Sequence, residues 1–342
     1  MRSATILELD DPRWHAFLRA VPRPLPFHHP TWAKLLAECY GYSAFALAVL
    51  NEDGGVAAGL PVLEVPGLIR GKRWVSLPFT DHCPPLGGAA QATLAEALDV
   101  ARRSTTTSKL EVRGALPGGS VQSVPSGVLH VLDLVPDAEE VFQTFKRTQV
   151  QQPIMQAERN GITIRRGRDP ADLTETFYRL HVLTRRRLGV PVQPRRFFEL
   201  LWQRAFAEGL GFVLVASTAD EPIAAAVFLE WRGYVTYKYS ASDPRFWRLR
   251  PNNLLLWRAI RGACENGCYA FDFGRTDAGN KGLRTFKRGW GTREERLVYS
   301  VLGRAGDNAS SPHLSELAKR IIRVAPTWFC RGAGELLYRY SA

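Results

Sequence analysis

Two stretches of this chain repeat one pattern, and the repeat limits what the chain can fold into. Residues 45–60 and 212–227 align without a gap at an offset of 167 residues. Each reads as an apolar strand, a turn and a second apolar strand, which predicts a β-hairpin with its turn at Asp53-Gly54 or Asp220-Glu221-Pro222. We therefore expect two copies of one α/β unit within the 342 residues. A chance match of two hairpins is the alternative.

A strand, a helix and a further strand follow each hairpin. In the first copy they are residues 73–77, 90–103 and 109–113, and in the second copy residues 234–239, 252–265 and 269–273. The second copy has polar side chains where its strands end, in Gly274-Arg275 and further on in Phe286-Lys287. Such strand ends are where α/β folds build their sites, so we expect the chemistry in the second copy.

Helical patterns fill the stretch between the copies. Residues 139–160 predict one helix or two, with Pro153 breaking or starting a helix. Residues 172–188 predict a helix that ends at Gly189, and residues 197–207 predict another. We place the first unit at residues 1–140, the second at 141–310 and a basic, aromatic helical tail at 311–342.

The excess of positive over negative charge is confined to the second half of the chain. Residues 1–150 hold 14 Lys+Arg and 15 Asp+Glu, whereas residues 151–342 hold 31 and 18. This imbalance favours a polyanionic partner on the second half, such as nucleic acid, a phosphorylated substrate or an anionic membrane. An arginine-rich soluble surface is the other interpretation.

The sequence lacks the motifs of several known classes of catalytic and binding site. The sequence has no P-loop, no dinucleotide-binding glycine motif, no zinc motif and no serine-hydrolase elbow. The five cysteines, which include Cys264 and Cys268, have no framework spacing and are expected to be buried, reduced thiols. His28, His29 and His82 could act as acid or base, but structural roles are the commoner outcome. We expect no metal, no cofactor and no transmembrane segment.

A set of short motifs resembles the Fem-type aminoacyltransferases, which carry a duplicated acetyltransferase (GNAT-like) fold. The resemblance covers about residues 27–300 and implies an α/β (α+β) fold of two tandem GNAT-like units, each with a central mixed sheet. The motifs include Phe27-x-x-Pro-x-Trp32-Ala-Lys34, Leu77-Pro-Phe-x-Asp81, Arg187-x-Gly189, Tyr237-x-Tyr239, Asn253-x-x-x-Trp257, Phe271-Asp-x-Gly274 and Phe286-Lys287.

The resemblance also implies an activity and its partners. Fem-type enzymes move an amino acid from aminoacyl-tRNA to an amine of a peptidoglycan precursor, so the partners would be aminoacyl-tRNA and a phosphorylated or lipid-linked amine. Lys34 and Arg187 would hold acceptor phosphates, and Lys287 with the Tyr237/Tyr239 pair would lie by the acyl ester. Trp32, Asp81 and Arg275 would also contact the substrate, and Asn253 the donor.

Two departures from the family pattern bear on the substrates. Where lipid-precursor transferases carry an aspartate, this chain has Arg113, which favours a more anionic acceptor. The coenzyme A loop of ordinary acetyltransferases needs glycines, but residues 248–253 contain none and Pro251 removes an N–H group. Coenzyme A is therefore disfavoured, although Arg245, Arg248 and Arg250 could still hold donor phosphates.

Three functions stay open at the level of the sequence. The first is aminoacyl transfer from tRNA, the second an N-acyltransferase that uses acyl-CoA or an acyl carrier, and the third a non-catalytic protein that binds an anionic glycolipid. We expect a cytoplasmic enzyme. Its tail, residues 315–340, either contacts the inner face of the membrane or packs on the body.

Overall fold

The computed structural model describes residues 4–66, 72–88, 91–105, 107–219 and 221–303, together with residues 320, 322–326, 330 and 338. These residues form two compact units. The first unit contains the chain up to Leu129 and residues 295–303, and the second contains residues 130–294 and the described residues from 320 onward. The chain passes from one unit to the other within a strand each time. Most of the expected tail, residues 311–342, lies outside the described residues.

The first unit is a mixed sheet with helices packed on it. Strands β1 to β5 are neighbours in chain order, and β12 comes back to pair with β5. The β2–β3 pair is the predicted hairpin, and β4 and β5 are parallel. Helix α3 covers a core that includes Leu47, Leu60 and Trp74. The elements are β1 (Thr5–Leu7), α1 (Pro12–Ala20), α2 (Pro30–Tyr40), β2 (Ser43–Leu50), β3 (Val56–Pro66), β4 (Lys72–Val75), α3 (Gln91–Ser104), β5 (Lys109–Val112), β6 (Gln122–Asp133) and β12 (Arg293–Gly303).

The second unit repeats this order. Its sheet runs β7, β8, β9, β10, β11 and then β6, with β8–β9 as the second predicted hairpin and β10 parallel to β11. Wide turns of π type precede α5 and α6 and follow α7. The elements are α4 (Ala138–Gln143), α5 (Gln152–Arg159), β7 (Thr163–Arg166), α6 (Tyr178–Leu188), α7 (Arg195–Leu200), β8 (Gly211–Thr218), β9 (Glu221–Trp231), β10 (Tyr234–Ser242), α8 (Pro251–Glu265), β11 (Ala270–Thr276) and α9 (Lys281–Arg288).

The repeated strand order confirms the duplication and the tandem α/β fold. The units divide the chain at 129/130 and 294/295, whereas the sequence boundaries lay at 140 and 310. The physical reason is β12, whose residues 300–303 pair with residues 109–112 of β5. A strand that follows the second copy in sequence therefore belongs to the sheet of the first.

The buried apolar core of the second unit supports the strands that form its candidate site. Helices α4, α5 and α8 pack over one core, in which Phe228, Phe271 and Trp290 are completely buried. Burying a side chain of this size stabilises the fold by about 1.5–3 kcal/mol. Helix α6 packs against β9 and β10. Gly189 ends α6 with a φ of 71°, as the sequence predicted for that glycine.

Candidate active site

The parallel strands β10 and β11 part from each other in the second unit. Their paired residues run from Tyr234–Ala270 to Thr236–Asp272, and both strands continue beyond the last pair. On the far side of β10, pairing with β9 goes on to Ser242. The strand segments beyond Thr236 and Asp272 therefore form a wedge within the described sheet, and we take this wedge as the candidate site.

A bulge in β10 separates the two tyrosines of the wedge. Tyr237 is paired with Phe228 and Tyr239 with Val227, so Lys238 is an extra residue in the strand. Tyr237 stacks on Phe228 at 5.5 Å between ring centroids, and burial raises its pKa to about 12. The expectation that Tyr237 and Tyr239 act as a pair is not met, because the bulge turns their side chains to opposite faces of the strand.

Tyr239 lies among aromatic rings of α6 and α7. The His181, Phe197 and Phe198 rings are 6.0, 5.9 and 5.9 Å from it, all close to edge-on. His181 is buried and its Nε2 lies 2.6 Å from Oε1 of Gln193. Burial lowers the pKa of His181 to about 3, so the ring is neutral at physiological pH. This packing holds the Tyr239 ring in one place.

Lys287 closes the end of β11. Its ammonium donates to the carbonyl oxygens of Gly274 at 2.8 Å and Arg275 at 3.1 Å, and the residue is 6% exposed. Burial and the nearby Lys287 charge lower the pKa of the buried His130 to about 4. A positive charge thus sits at the strand end with a neutral imidazole close by. The sequence placed Lys287 at the acyl ester, and that role stays a prediction.

The connection from β10 to α8 is a folded turn rather than an open loop. A 3₁₀ helix, Pro244–Leu249, leads into Arg250, which has a φ of 61°, and Pro251 then starts α8. The N–H of Arg250 bonds to Trp247 O and that of Asn253 to Arg250 O. Since Pro251 has no N–H and these two are already bonded, the first turn of α8 has few backbone donors left for a phosphate.

The three arginines of this connection differ in their surroundings. Arg245 bonds to Asp243 at 2.7 Å and pairs with Glu221 at 3.3 Å, so its charge is largely compensated. Arg248 and Arg250 are exposed. The sequence grouped all three as donor-binding residues, but the geometry favours Arg248 and Arg250 over Arg245.

Two further predicted substrate residues of the second unit lie at its surface. The guanidinium of Arg187, at the end of α6, is 4.7 Å from the ring centre of Trp247. Arg275 is paired with Asp277. Arg187 thus lies beside the β10–α8 connection, which the sequence did not reveal.

Two predicted substrate residues of the first unit belong to the loop after β4 or contact it: Asp81 lies in the loop, and Trp32 bonds to it. Trp32 Nε1 donates to Thr80 at 3.0 Å, and the hydroxyl of Tyr299 donates to the carbonyl of Asp81 at 2.7 Å. Leu77 and Phe79 in this loop have φ values of 66° and 59°. Such strain in non-glycine residues is held only where the surroundings impose it, and it is common at functional sites.

Lys34 and Arg113 are the charged residues of the first unit that the sequence singled out. Lys34 pairs with Asp10 and lowers the pKa of that carboxyl group. Arg113 pairs with Glu111 at 3.0 Å and lies 4.7 Å over the Tyr299 ring. Both positive charges are therefore met by a carboxylate of their own unit.

No cluster of potential metal ligands occurs among the described residues. Cys264 and Cys268 are buried and unbridged, and burial raises their pKa values to about 11 and about 12, so both stay protonated thiols. Within the same residues no helix combines the length and the apolar character that a bilayer crossing requires.

Sequence reasoning missed Trp247, His130, His181 and Gln193. Trp247 is an aromatic residue inside the basic segment, in which the sequence pattern singles out only the arginines. His181 and Gln193 are twelve residues apart in the sequence, and no local sequence pattern indicates that they are in contact.

Comparisons with known proteins agree with this architecture. Residues 144–288 match the model of the acetyltransferase (GNAT) domain. FemX has a similar structure, with a TM-score of 0.66 and 14% identity over 87% of this chain and 96% of FemX. The C-terminal domain of a putative lysylphosphatidylglycerol synthetase from Agrobacterium fabrum has a TM-score of 0.55 and 14% identity, over 86% of this chain and 91% of that domain.

A tandem GNAT protein from the clavulanic acid biosynthesis pathway is also similar. Its TM-score is 0.50 at 11% identity, over 88% of this chain and 98% of that protein. No curated protein sequence matches this chain. The resemblance to Fem-type proteins is confirmed at the level of the fold, and with its GNAT domain at residues 144–288 this chain is an acyltransferase of the GNAT fold.

Proposed function

We propose that this enzyme transfers an aminoacyl group from aminoacyl-tRNA to an amine of a cell-wall precursor or a related anionic acceptor. The observation that carries the proposal is the β10–α8 connection. It offers exposed guanidinium groups at Arg248 and Arg250, while Pro251 and the bonded N–H groups of Arg250 and Asn253 leave little of the backbone cradle that coenzyme A uses. Arginine side chains suit the spaced phosphates of an RNA strand.

The chemistry is aminolysis of an ester. The acceptor amine attacks the ester carbonyl, a tetrahedral oxyanion forms, and the ribose hydroxyl of the tRNA leaves with the proton that the amine gives up. Lys287 supplies a positive charge near the strand end, where it would stabilise the oxyanion, and Tyr239 is the tyrosine of the wedge suited to donate a hydrogen bond. Tyr237 packs against the core and has no part in this step of the proposal.

The acceptor is an amine carried by an anionic precursor. The roles of Lys34 and Arg187 in binding acceptor phosphates, and of Trp32, Asp81 and Arg275 as substrate contacts, stay predictions. The fold shared with a putative lysylphosphatidylglycerol synthetase makes an anionic lipid headgroup a second acceptor class to assay. With an anionic lipid as acceptor, the proposal includes peripheral contact of the enzyme with the inner face of the membrane.

An acyl-CoA donor is the second candidate, because the matching domain model describes acetyltransferases. Two measurements separate the donors. Labelled tRNA is titrated at several salt concentrations, and thermal stability is followed with coenzyme A and with acetyl-CoA. We expect salt-sensitive tRNA binding and no stabilisation by coenzyme A. Stabilisation by coenzyme A without tRNA binding would overturn the proposal in favour of the second candidate.

The transfer itself is assayed with tRNA charged with a labelled amino acid. Loss of label from tRNA, with its appearance on an amine acceptor, is the expected result. Ester hydrolysis that does not depend on the acceptor would contradict transfer.

A further inference from the structure

Trp247 is an exposed tryptophan in a molecule that buries most of its large aromatic side chains. It is 41% exposed, whereas Trp14, Trp32, Trp74 and Trp290 are at most 1% exposed. Removing an indole from water is favourable, and tryptophan is enriched at interfaces because its ring is apolar while its N–H finds a hydrogen-bond partner.

The Trp247 side chain is held in place. Its Nε1 donates to Ser242 Oγ at 3.0 Å, and the side-chain amide of Asn252 donates to the same oxygen at 3.2 Å. Ser242 is buried, and its own N–H bonds to Thr184 Oγ1 at 3.2 Å. The indole is therefore oriented before any ligand arrives, which reduces the entropy lost on binding.

Positively charged residues lie beside Trp247 in space or in sequence. The guanidinium of Arg187 lies 4.7 Å from its ring centre, and Arg248 and Arg250 follow it in the same turn with exposed side chains. The nearest acidic side chain of the turn, Asp243, is engaged with Arg245. An oriented aromatic ring beside exposed arginines suits a base stacked on the ring and phosphates on both sides of it.

We propose that Trp247 is a stacking platform for a base of the unpaired 3′ end of the RNA donor, with Arg248 and Arg250 on the neighbouring phosphates. The proposal rests on the proposed function. RNA is favoured over a free nucleotide because the guanidinium groups are spread along the turn, as successive phosphates of a strand require. Duplex RNA presents no unstacked base to the indole.

The test measures binding of a fluorescent single-stranded RNA heptamer ending in CCA. Trp247→Leu should weaken binding about 5- to 150-fold, the range for loss of one base–aromatic stack. The slope of log K against log salt should stay unchanged, because stacking neutralises no phosphate. Arg248→Gln should instead reduce the magnitude of that slope by about 0.7. Trp202→Leu, at a half-buried tryptophan of the same unit, is the matched control.

A second variant covers the case in which Trp247→Leu misfolds. Trp247→Phe keeps a stacking ring, so it should retain most of the affinity while losing the RNA-induced quenching of tryptophan fluorescence. If Trp247→Leu is folded and binds as Trp202→Leu does, or if Trp247→Phe keeps the full quenching, the platform is disproved.

The outcomes also separate this proposal from the proposed function. Salt-sensitive RNA binding that ignores Trp247 removes the platform and leaves the RNA donor intact. No RNA binding by the wild type at low salt removes both. If UDP binds in a Trp247-dependent way and the heptamer does not, the platform serves a free nucleotide and its assignment to RNA is overturned.

Discussion

The two copies end their equivalent strands, β5 and β11, in different ways. In the first copy neutral donors satisfy the carbonyl groups after β5: the N–H of Cys83 bonds to Arg113 O at 2.7 Å, and Ser300 Oγ donates to Gly114 O at 2.9 Å. In the second copy the Lys287 ammonium caps Gly274 and Arg275. The second strand end is thus capped by a charged side chain, whereas the first is capped by neutral donors.

The connections that follow β4 and β10 differ in the same sense. Residues 76–90 of the first copy contain no Lys or Arg, whereas residues 243–250 of the second contain three arginines. The connection after β10 thus carries positive charge that the equivalent connection of the first copy lacks. This asymmetry is expected if the second copy handles the anionic donor.

Loss of the Lys287 charge at the end of β11 should have the largest effect on activity. Lys287→Met should lower the turnover of aminoacyl transfer about 10²- to 10³-fold, the scale of losing one oxyanion-stabilising group. Single-turnover rates from charged tRNA measure this, with circular dichroism as the check of folding. Arg288→Met, the neighbouring exposed residue, should stay near wild type. A folded Lys287→Met enzyme with normal turnover would refute the role of this strand end.

Charge reversal in the β10–α8 connection should have the next largest effect. Arg248→Glu combined with Arg250→Glu should weaken tRNA binding about 10-fold or more at low salt and flatten its salt dependence. Arg245→Gln should change binding much less, because Asp243 and Glu221 already compensate that charge. Equal losses for the two variants would show that the compensation does not matter.

The bulge in β10 predicts that Tyr239 and Tyr237 contribute unequally to turnover. Tyr239→Phe should lower turnover on the order of 10-fold, since one hydrogen bond contributes about 1 kcal/mol. Tyr237→Phe should leave turnover unchanged, because that ring packs in the core. Steady-state rates of both variants decide the point, and a reversed order would mean that Tyr237 reaches the substrate.

Both units should lose stability in acid through buried histidines. The pKa values of His28 and His130 are lowered to about 4 and that of His181 to about 3, chiefly by burial. Between pH 6.5 and about 4 the unfolded chain binds more protons than the folded one, so stability falls as the pH falls, by up to about 1.4 kcal/mol per pH unit for each histidine.

Urea unfolding at pH 7.5 and pH 5 measures this loss, and His181→Phe should reduce it. His28 is the sharper case, because the Leu25 N–H donates to its Nδ1 and its Nε2 donates to the carbonyl of Pro84, which leaves no place for a second proton. A stability that does not change over this pH range would contradict the neutral state of these rings.

Local patterns in the sequence were enough to predict the repeated helices and strands. Both hairpins, α8 and the glycine that ends α6 follow from alternation, helical periodicity and the positive φ that glycine tolerates. The bulge at Lys238 could not be predicted, because Tyr-x-Tyr reads as a regular strand with both rings on one face. The contacts of Trp247 with Arg187 and of His181 with Gln193 depend on packing between distant segments.

The return of β12 to the first sheet sets an order of events during synthesis. Until about residue 303 has left the ribosome, β5 has no partner on the side that β12 later occupies. An open strand edge pairs readily with other chains, so the nascent first unit carries an aggregation hazard for most of its translation. A fragment cut at residue 140 would make that hazard permanent, and expression of the halves as separate chains should succeed only when residues 293–303 are supplied with the first.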